Sequence, residues 1–420
     1  MPYTLQAYLD NNATTLPAPE AVDAMQPYLR EVYGNPSSAH TFGGRAQHAV
    51  AKAREQVAAL LGCTGVEVLF TSCGTEGDNA AIVAALDALP SRKHIITTRV
   101  EHPAVLSPLR HLATRGYRVT ELNVDRQGGI DLEELRREIS GDTALVSVMW
   151  ANNETGVIFP VHEVGEIAKQ NGAMFHVDAV QSPGKVKLDL AKEAAIDFLA
   201  ISAHKFHGVK GAGALFVRKG TRFRPLIHGG EQERGRRGGT ENVPGIVAMG
   251  VAAELVLKDF DAAVTRVAAL RDRLEAGLLA KCDHVVVNGD RDHRLCNTLN
   301  VGFEFIEGES ILLMLDTLGI AVSSGSACSS GSLEPSHVLR AMSVPFTAVH
   351  GSIRFSLGRY STDKDVDYVL EKVPPVIKRL REISPFGRQA PNEKAEAERR
   401  REKIESGRRF FGKRPEQHRV

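Results

Sequence analysis

The stretch DFLAISAHKFHG, residues 197–208, runs from a short apolar segment into an abrupt polar end formed by Ser202, His204 and Lys205. A run of this length, bounded by an acid and a polar cluster, reads as a buried strand. The same arrangement recurs in VEVLFTS (66–72), HIITTRV (94–100), ALVSVMW (144–150), AMFHVDA (173–179) and GALFVRK (213–219). Between these runs lie GTEGDNAAIVAALDAL (74–89), PAVLSPLRHLATRG (103–116) and VHEVGEIAKQNG (161–172), whose apolar residues are spaced by three and four as on helices. This alternation predicts an α/β fold with a mostly parallel sheet across residues 44–218.

Polar residues follow the runs in a regular way: SCGTE, EHPA, ANNETG, DAVQS and SAHK each come at the carboxyl end of a predicted strand. Any one of them alone reads better as an ordinary strand-to-helix turn. Five in the same relative position converge on one edge of the sheet, where open α/β sheets bind their ligands.

Three of these clusters carry specific chemistry. SCGTEGDN passes from a strand into a helix, which puts the amides of Gly74 and Thr75 at a helix N-terminus suited to a phosphate; a cap by Ser72 or Thr75 would give the same sequence pattern. Lys205 ends an apolar strand, where desolvation would make its amine nucleophilic and able to form a Schiff base, although a lone lysine there also reads as a surface residue. Asp178 ends AMFHVD, a strand too apolar to bury a carboxylate without a partner. A phosphate-binding helix start, a Schiff-base lysine and a strand-end aspartate are together what pyridoxal phosphate requires, because the aspartate keeps the ring nitrogen protonated.

The pattern changes after residue 259. A long amphipathic helix near 260–280, the run NTLNVGF, the helix GESILLMLDTLG, the run GSIRFSL and a final helix suggest a smaller α+β unit. The final helix opens with Thr362 and Asp365 in capping-box positions, with Asp where Glu or Gln is usual. Between the helix GESILLMLDTLG and the run GSIRFSL stands VSSGSACSSGS (322–332), in which Cys328 sits among serines and glycines rather than aliphatic neighbours. Such a segment reads as a solvated loop, so Cys328 is expected to be an accessible, reactive thiol. From within SPFG (384–387) onward, residues 386–420 are rich in both charges and poor in aliphatics, and read as a tail, disordered or marginally helical.

Composition narrows the function classes. Acids and bases nearly cancel, 51 against 52, which argues against a nucleic-acid footprint or a polybasic membrane surface. No stretch approaches the ~20 apolar residues of a membrane span, and no basic-then-apolar leader opens the sequence, so a cytoplasmic protein is expected. The five cysteines are odd in number and lack C-x-x-C spacing, against a disulfide framework or a structural metal site. His204 and His207 have metal-like spacing, but no further ligands accompany them, and no metal is expected.

LDNNATT, GNPSSAH, TSCGTEGDN, EHPAV, MWANNETG, HVDAVQS, SAHKFHG, RGRRGGTEN, SSGSACSSG and IRFSLGR, in that order, resemble the motifs of the NifS-type cysteine desulfurases, fold-type I enzymes of the class V aminotransferase superfamily. The resemblance spans residues 7–385, and FRPLIHGGEQERGRRGGTEN with SSGSACSSGSLEPSH looks most like the members serving nitrogenase assembly. It implies a large pyridoxal-phosphate domain at 15–258 built on a mostly parallel seven-stranded sheet, and a small domain formed by 1–14 and 259–385. It implies Lys205 as the Schiff-base residue, Asp178 on the pyridine nitrogen, Gln181 on the ring phenolate and His102 on the ring face as a proton-transfer group. Gly74, Thr75, Ser202 and His204 would hold the phosphate, with Thr240 reaching in from a second subunit of a homodimer. Asn35, Asn153 and Arg354 would bind the substrate carboxylate, Asn153 also meeting the cofactor. Cys328 would take sulfur from L-cysteine as a persulfide, leaving L-alanine, and pass it to an iron–sulfur scaffold. One departure is Val209, where the family usually has proline.

A selenocysteine lyase or an aminotransferase would share the cofactor residues, but an aminotransferase has no use for Cys328 on its Ser/Gly loop. A non-enzymatic sulfur scaffold would need clustered cysteines and no Lys205.

Overall fold

The computed structural model describes residues 4–324 and 335–385; Cys328 and the charged tail lie outside them. The seven-stranded sheet is made of β1 (Val68–Thr71), β2 (His94–Thr98), β3 (Arg118–Leu122), β4 (Thr143–Ser147), β5 (Met174–Asp178), β6 (Phe198–Ser202) and β7 (Gly213–Val217), in the order β1-β7-β6-β5-β4-β2-β3. Only β7 runs against the rest: it pairs antiparallel with both β6 and β1, so β1 points the same way as the five parallel strands.

Six of these strands were legible as apolar runs. β3 was not, because RVTEL is an edge strand whose residues are mostly half-buried or exposed. Strands β4, β6 and β7 are buried throughout, as expected when helices cover both faces of a sheet. Among those helices are α1 (Thr41–Leu61), α2 (Gly74–Ala88), α3 (Pro103–Ala113), α4 (Val161–Gln170) and α5 (Val243–Lys258). One apolar core includes Phe175, Val177, Leu199, Ile201 and Phe216, and another on the opposite face includes Ala81, Leu145, Phe198, Ala200 and Leu215.

A second, antiparallel sheet has the order β10-β11-β9-β8, from β8 (Val285–Asn288), β9 (Thr298–Phe303), β10 (Ser323–Ser324) and β11 (Ser352–Ser356). With α6 (Phe260–Lys281), α7 (Gly308–Thr317) and α8 (Asp363–Ile383) it encloses a separate core that contains Leu274, Leu299, Ile353, Phe355 and Val373. The capping box of α8 is formed: Thr362 Oγ1 accepts from Asp365 N, and the Asp365 carboxylate accepts from Thr362 N at 2.7 Å. The N-terminal segment joins this second unit. Ala7–Tyr8 pairs in parallel with Ile320–Ala321, Ala7 and Leu9 are buried in its core, and Asp10 bridges to Ser356.

Candidate active site

The carboxyl ends of β1, β2, β4, β5 and β6 meet at one edge of the large sheet, and β10 and β11 approach that edge from the second unit. Between them lies a cavity of about 410 Å³. Its wall contains Gly74, Thr75, His102, Asn153, Asp178, Gln181, Ser202, His204, Lys205 and Arg354, ten residues singled out in the sequence from five different clusters and β11. Asn35 and Thr240 do not line it and are exposed on this chain.

Lys205 ends the short turn Ala203–Lys205 that follows β6, and its Nζ donates to the carbonyl oxygens of Asn12 at 2.6 Å and Ala13 at 2.8 Å. The Asn12 carbonyl also accepts from Gln181 Nε2 at 2.9 Å. Asn12 itself is almost fully buried: Nδ2 donates to Asn153 O and Thr298 Oγ1, and Oδ1 accepts from Asn297 Nδ2. Thr14 Oγ1 meets His204 Nδ1 at 3.2 Å, and Thr15 donates to the His204 carbonyl through both its N–H and its hydroxyl. Residues 10–15 therefore strap the floor of the cavity, a role the sequence did not disclose because backbone carbonyls carry much of it. On the far side of Gln181, Lys185 Nζ donates to Oε1 at 2.9 Å, which fixes the amide so that Nε2 is the donor toward Asn12.

The phosphate end is built from α2. Its N-cap position is Cys73, with no side chain capping the first amides; Ser72 instead donates to Glu76, so the alternative of a Ser72 or Thr75 cap is not realised. Gly74 has to be glycine for packing reasons, since a Cβ there would lie 2.5 Å from Val180 Cγ2. Ser202 Oγ is buried with no hydrogen-bond partner, and burial with the Lys205 and Lys210 charges pushes the His204 imidazole down to about 4. Uncapped helical amides, an unpartnered hydroxyl and a neutral imidazole suit an anion with several acceptor oxygens.

At the other end, Asp178 accepts from Val180 N at 2.9 Å. Burial pushes its carboxyl up, against the pull of His102 and Lys205. A cationic N–H beside it would restore the carboxylate. His102 caps α3, accepting at Nδ1 from Ala104 N at 3.1 Å, and burial holds its imidazole below the ordinary range. A neutral ring that accepts at Nδ1 carries its proton on Nε2, which leaves Nε2 for proton exchange. These donors and acceptors fit a phosphorylated pyridine with a carbonyl group that can bond to Lys205.

Arg354 on β11 is 5% exposed; Nη2 pairs with Asp10 at 2.8 Å, Nη1 donates to Asn153 O at 3.1 Å, and Nε is buried without a partner. A guanidinium fixed this way is a natural carboxylate receptor. The remaining thiols differ from one another. Burial pushes Cys63 up to about 12 and Cys282 up to about 11, and raises Cys296. Cys73 alone among the described cysteines lines the cavity. The His207 ring is engaged elsewhere than that of His204, its Nδ1 bonding Leu16 O at 2.9 Å where His204 Nδ1 meets Thr14 Oγ1, and among the described residues no group of three or more His, Cys, Asp or Glu is placed to hold a metal.

The aminotransferase class-V family model matches residues 7–369. This chain belongs to that family. Its architecture is the family's α/β fold, here with both the lysine-bearing strand end and the second antiparallel sheet. Over 379 residues it is 61% identical to a cysteine desulfurase of Trichormus azollae, covering 90% of this chain and 94% of that protein. Over 380 residues it is 56% identical to the cysteine desulfurase NifS of Azotobacter vinelandii, again covering 90% and 94%. A solved structure of a NifS-like protein superposes with a TM-score of 0.84 at 41% identity, covering 90% of this chain and all of that one. Val209, where the resemblance leads one to expect proline, is packed against the large core and does not line the cavity.

Proposed function

We propose that this protein is a pyridoxal-phosphate-dependent cysteine desulfurase that converts L-cysteine to L-alanine and carries the sulfur as a persulfide on Cys328. The observation that carries the reading is the meeting of Lys205, Asp178 and Arg354 in one cavity. Identity of 56–61% with cysteine desulfurases over most of the chain supports the choice of substrate.

Pyridoxal phosphate would be held by the α2 amides at Gly74 and Thr75, Ser202 and His204 at its phosphate, by Asp178 at its ring nitrogen, by Gln181 and by a bond to Lys205. When bound it supplies an electron sink for the pair left at the substrate Cα. Arg354 and Asn153 hold the cysteine carboxylate. Lys205 Nζ is the amine placed to take the Cα proton, and His102 exchanges protons through Nε2. The Cys328 thiolate attacks the substrate sulfur: an S–S bond forms, the Cβ–S bond breaks, and its electron pair with a proton completes the methyl group of alanine. One cysteine and one enzyme thiol thus become one alanine and one persulfide, with no outside oxidant.

The reading extends to a cytoplasmic homodimer in which Thr240 serves the partner's site, and to an iron–sulfur scaffold as sulfur acceptor, with nitrogenase maturation as the destination. Among the described residues no helix is long and apolar enough to cross a membrane. Incubation with cysteine and a reductant should give alanine and sulfide together. Failure to form alanine, or alanine without sulfur release, sinks the reading; a fully active monomer in sedimentation sinks the shared site.

A further inference from the structure

His176 and Asp178 alternate along β5, so both side chains leave the same face of the sheet, toward α2. His176 is fully buried. Its Nδ1 lies 2.9 Å from Ser147 Oγ on β4, and its Nε2 lies 3.3 Å from Oδ1 of Asp78, which is on α2. Asp78 is 1% exposed and forms part of the cavity wall. Apart from that approach of His176, neither of its carboxyl oxygens meets a hydrogen-bond donor. The reaction described above uses none of these three residues.

We propose that Asp78 is a neutral carboxylic acid that donates to His176 Nε2, that His176 in turn donates from Nδ1 to Ser147 Oγ, and that this uncharged chain leaves Asp178 as the single ionised carboxylate at the ring-nitrogen end of the cavity. The geometry and the chemistry of the neighbours carry it. A carboxylate buried on one long contact is costly, and a group in that position takes up a proton instead. The groups that act on Asp78 are Asp178 from β5, Glu101 from the loop after β2 and Cys73 from the start of α2; each is neutral or negative, so all raise its affinity for a proton. An imidazolium cannot supply the missing charge, since burial drives His176 down to about 3. With His176 neutral and Asp78 protonated, each nitrogen of the ring has a complementary partner.

Asp78 is thus a positioning residue. Two ionised carboxyls at this end of the cavity would compete for one proton, and the affinity of Asp178 for it would rise. Keeping Asp78 neutral leaves Asp178 free to hold a protonated pyridine. This consequence rests on the cofactor reading above, whereas the ionisation of the chain does not.

Neutron diffraction from crystals of the deuterated protein as isolated, near neutral pH, tests the chain without any variant. Deuterons are expected on the Asp78 carboxyl and on His176 Nδ1; a deuteron on His176 Nε2 overturns the proposal. The Asp78→Asn variant tests the consequence, because an amide donates as the acid does and carries no charge. The pH midpoint of the visible absorption of bound pyridoxal phosphate should move by less than about 0.3 unit, whereas loss of a real anion would move it by ~1 unit or more. A shift of that larger size also overturns the proposal. Parent protein that binds no pyridoxal phosphate sinks the cofactor reading, and the neutron positions still decide the ionisation of Asp78.

Discussion

Asp10 Oδ1 lies 2.8 Å from Arg354 Nη2 and accepts from Ser323 Oγ at 2.8 Å, so the guanidinium assigned to the substrate carboxylate already has a fixed counter-ion. The N-terminal strap, β10 and β11 are joined at that point. Arg354→Lys should therefore fail as a conservative change. A lysine is a point charge and cannot serve Asp10, the Asn153 carbonyl and a carboxylate at once. The KM for cysteine is expected to rise by about tenfold or more with a smaller loss in kcat, since a ground-state contact is removed. An unchanged KM would remove Arg354 from the carboxylate subsite.

The partner variant, Asp10→Asn, acts on stability. It leaves Arg354, 5% exposed, without its counter-ion, at a cost of about 3 kcal/mol in urea unfolding. An unfolding midpoint equal to that of the parent would show that the Asn153 carbonyl alone holds the guanidinium.

Lys205→Ala should abolish alanine formation, because no other amine lines the cavity among the described residues. Borohydride treatment of the variant with pyridoxal phosphate should leave no cofactor covalently attached at this site. A reducible attachment that maps elsewhere, with turnover retained, would reassign the nucleophile.

Asp178 was legible because it ends an apolar strand, and Lys205 because it closes the short turn that follows one, where a polar residue stands out from the run before it. The strap was not. LDNNATT was visible as a motif, but the carbonyls of Asn12 and Ala13 act on Lys205, and a side-chain alphabet does not report carbonyls. Asp78 and His176 were passed over for a different reason: one lies inside an apolar helix and the other inside an apolar strand, and only the packing of α2 on β5 brings them to 3.3 Å. The histidine in AMFHVD was the available signal, a polar ring in the middle of a run otherwise fit for the core. Strand β3 stayed hidden because an edge strand half-open to solvent lacks the apolar run that marked the other six.

Glu101 gives a pH test that needs no substrate. It is fully buried; Oε1 accepts from Met149 N and Thr98 Oγ1, both at 2.9 Å, and Oε2 has no partner. Burial pushes its carboxyl up to about 8. Between the unfolded value near ~4.3 and that folded value the native state holds a proton that the unfolded chain has released, so this group makes stability fall as pH rises through the window. Glu101→Gln keeps the acceptor and cannot ionise. Its stability relative to the parent should therefore improve from pH 5 to pH 8, by up to about 1.4 kcal/mol per unit. Urea curves whose separation stays constant over that range would mean that Glu101 is ionised throughout.

Cys328→Ala separates binding from sulfur transfer. Cofactor capture is assigned to Lys205, Asp178 and the start of α2, none of which needs the thiol, so the variant should bind pyridoxal phosphate and change its visible spectrum when cysteine is added. Sulfur transfer should stop, with alanine formation reduced to a trace. Ordinary thiols, with a pKa near ~8.5, are only a few per cent thiolate at neutral pH, so the attacking group needs access and a nearby proton acceptor. Among the other cysteines, Cys63 and Cys282 are held as thiols by burial, at about 12 and about 11, and Cys296 is raised in the same direction. Cys73, in the cavity wall, is the one competitor the geometry allows. Mass spectrometry of the parent after a single turnover should find one added sulfur, on Cys328. Sulfur on Cys73, or undiminished alanine from the variant, would move the acceptor thiol to the start of α2 and make the Ser/Gly segment incidental to the chemistry.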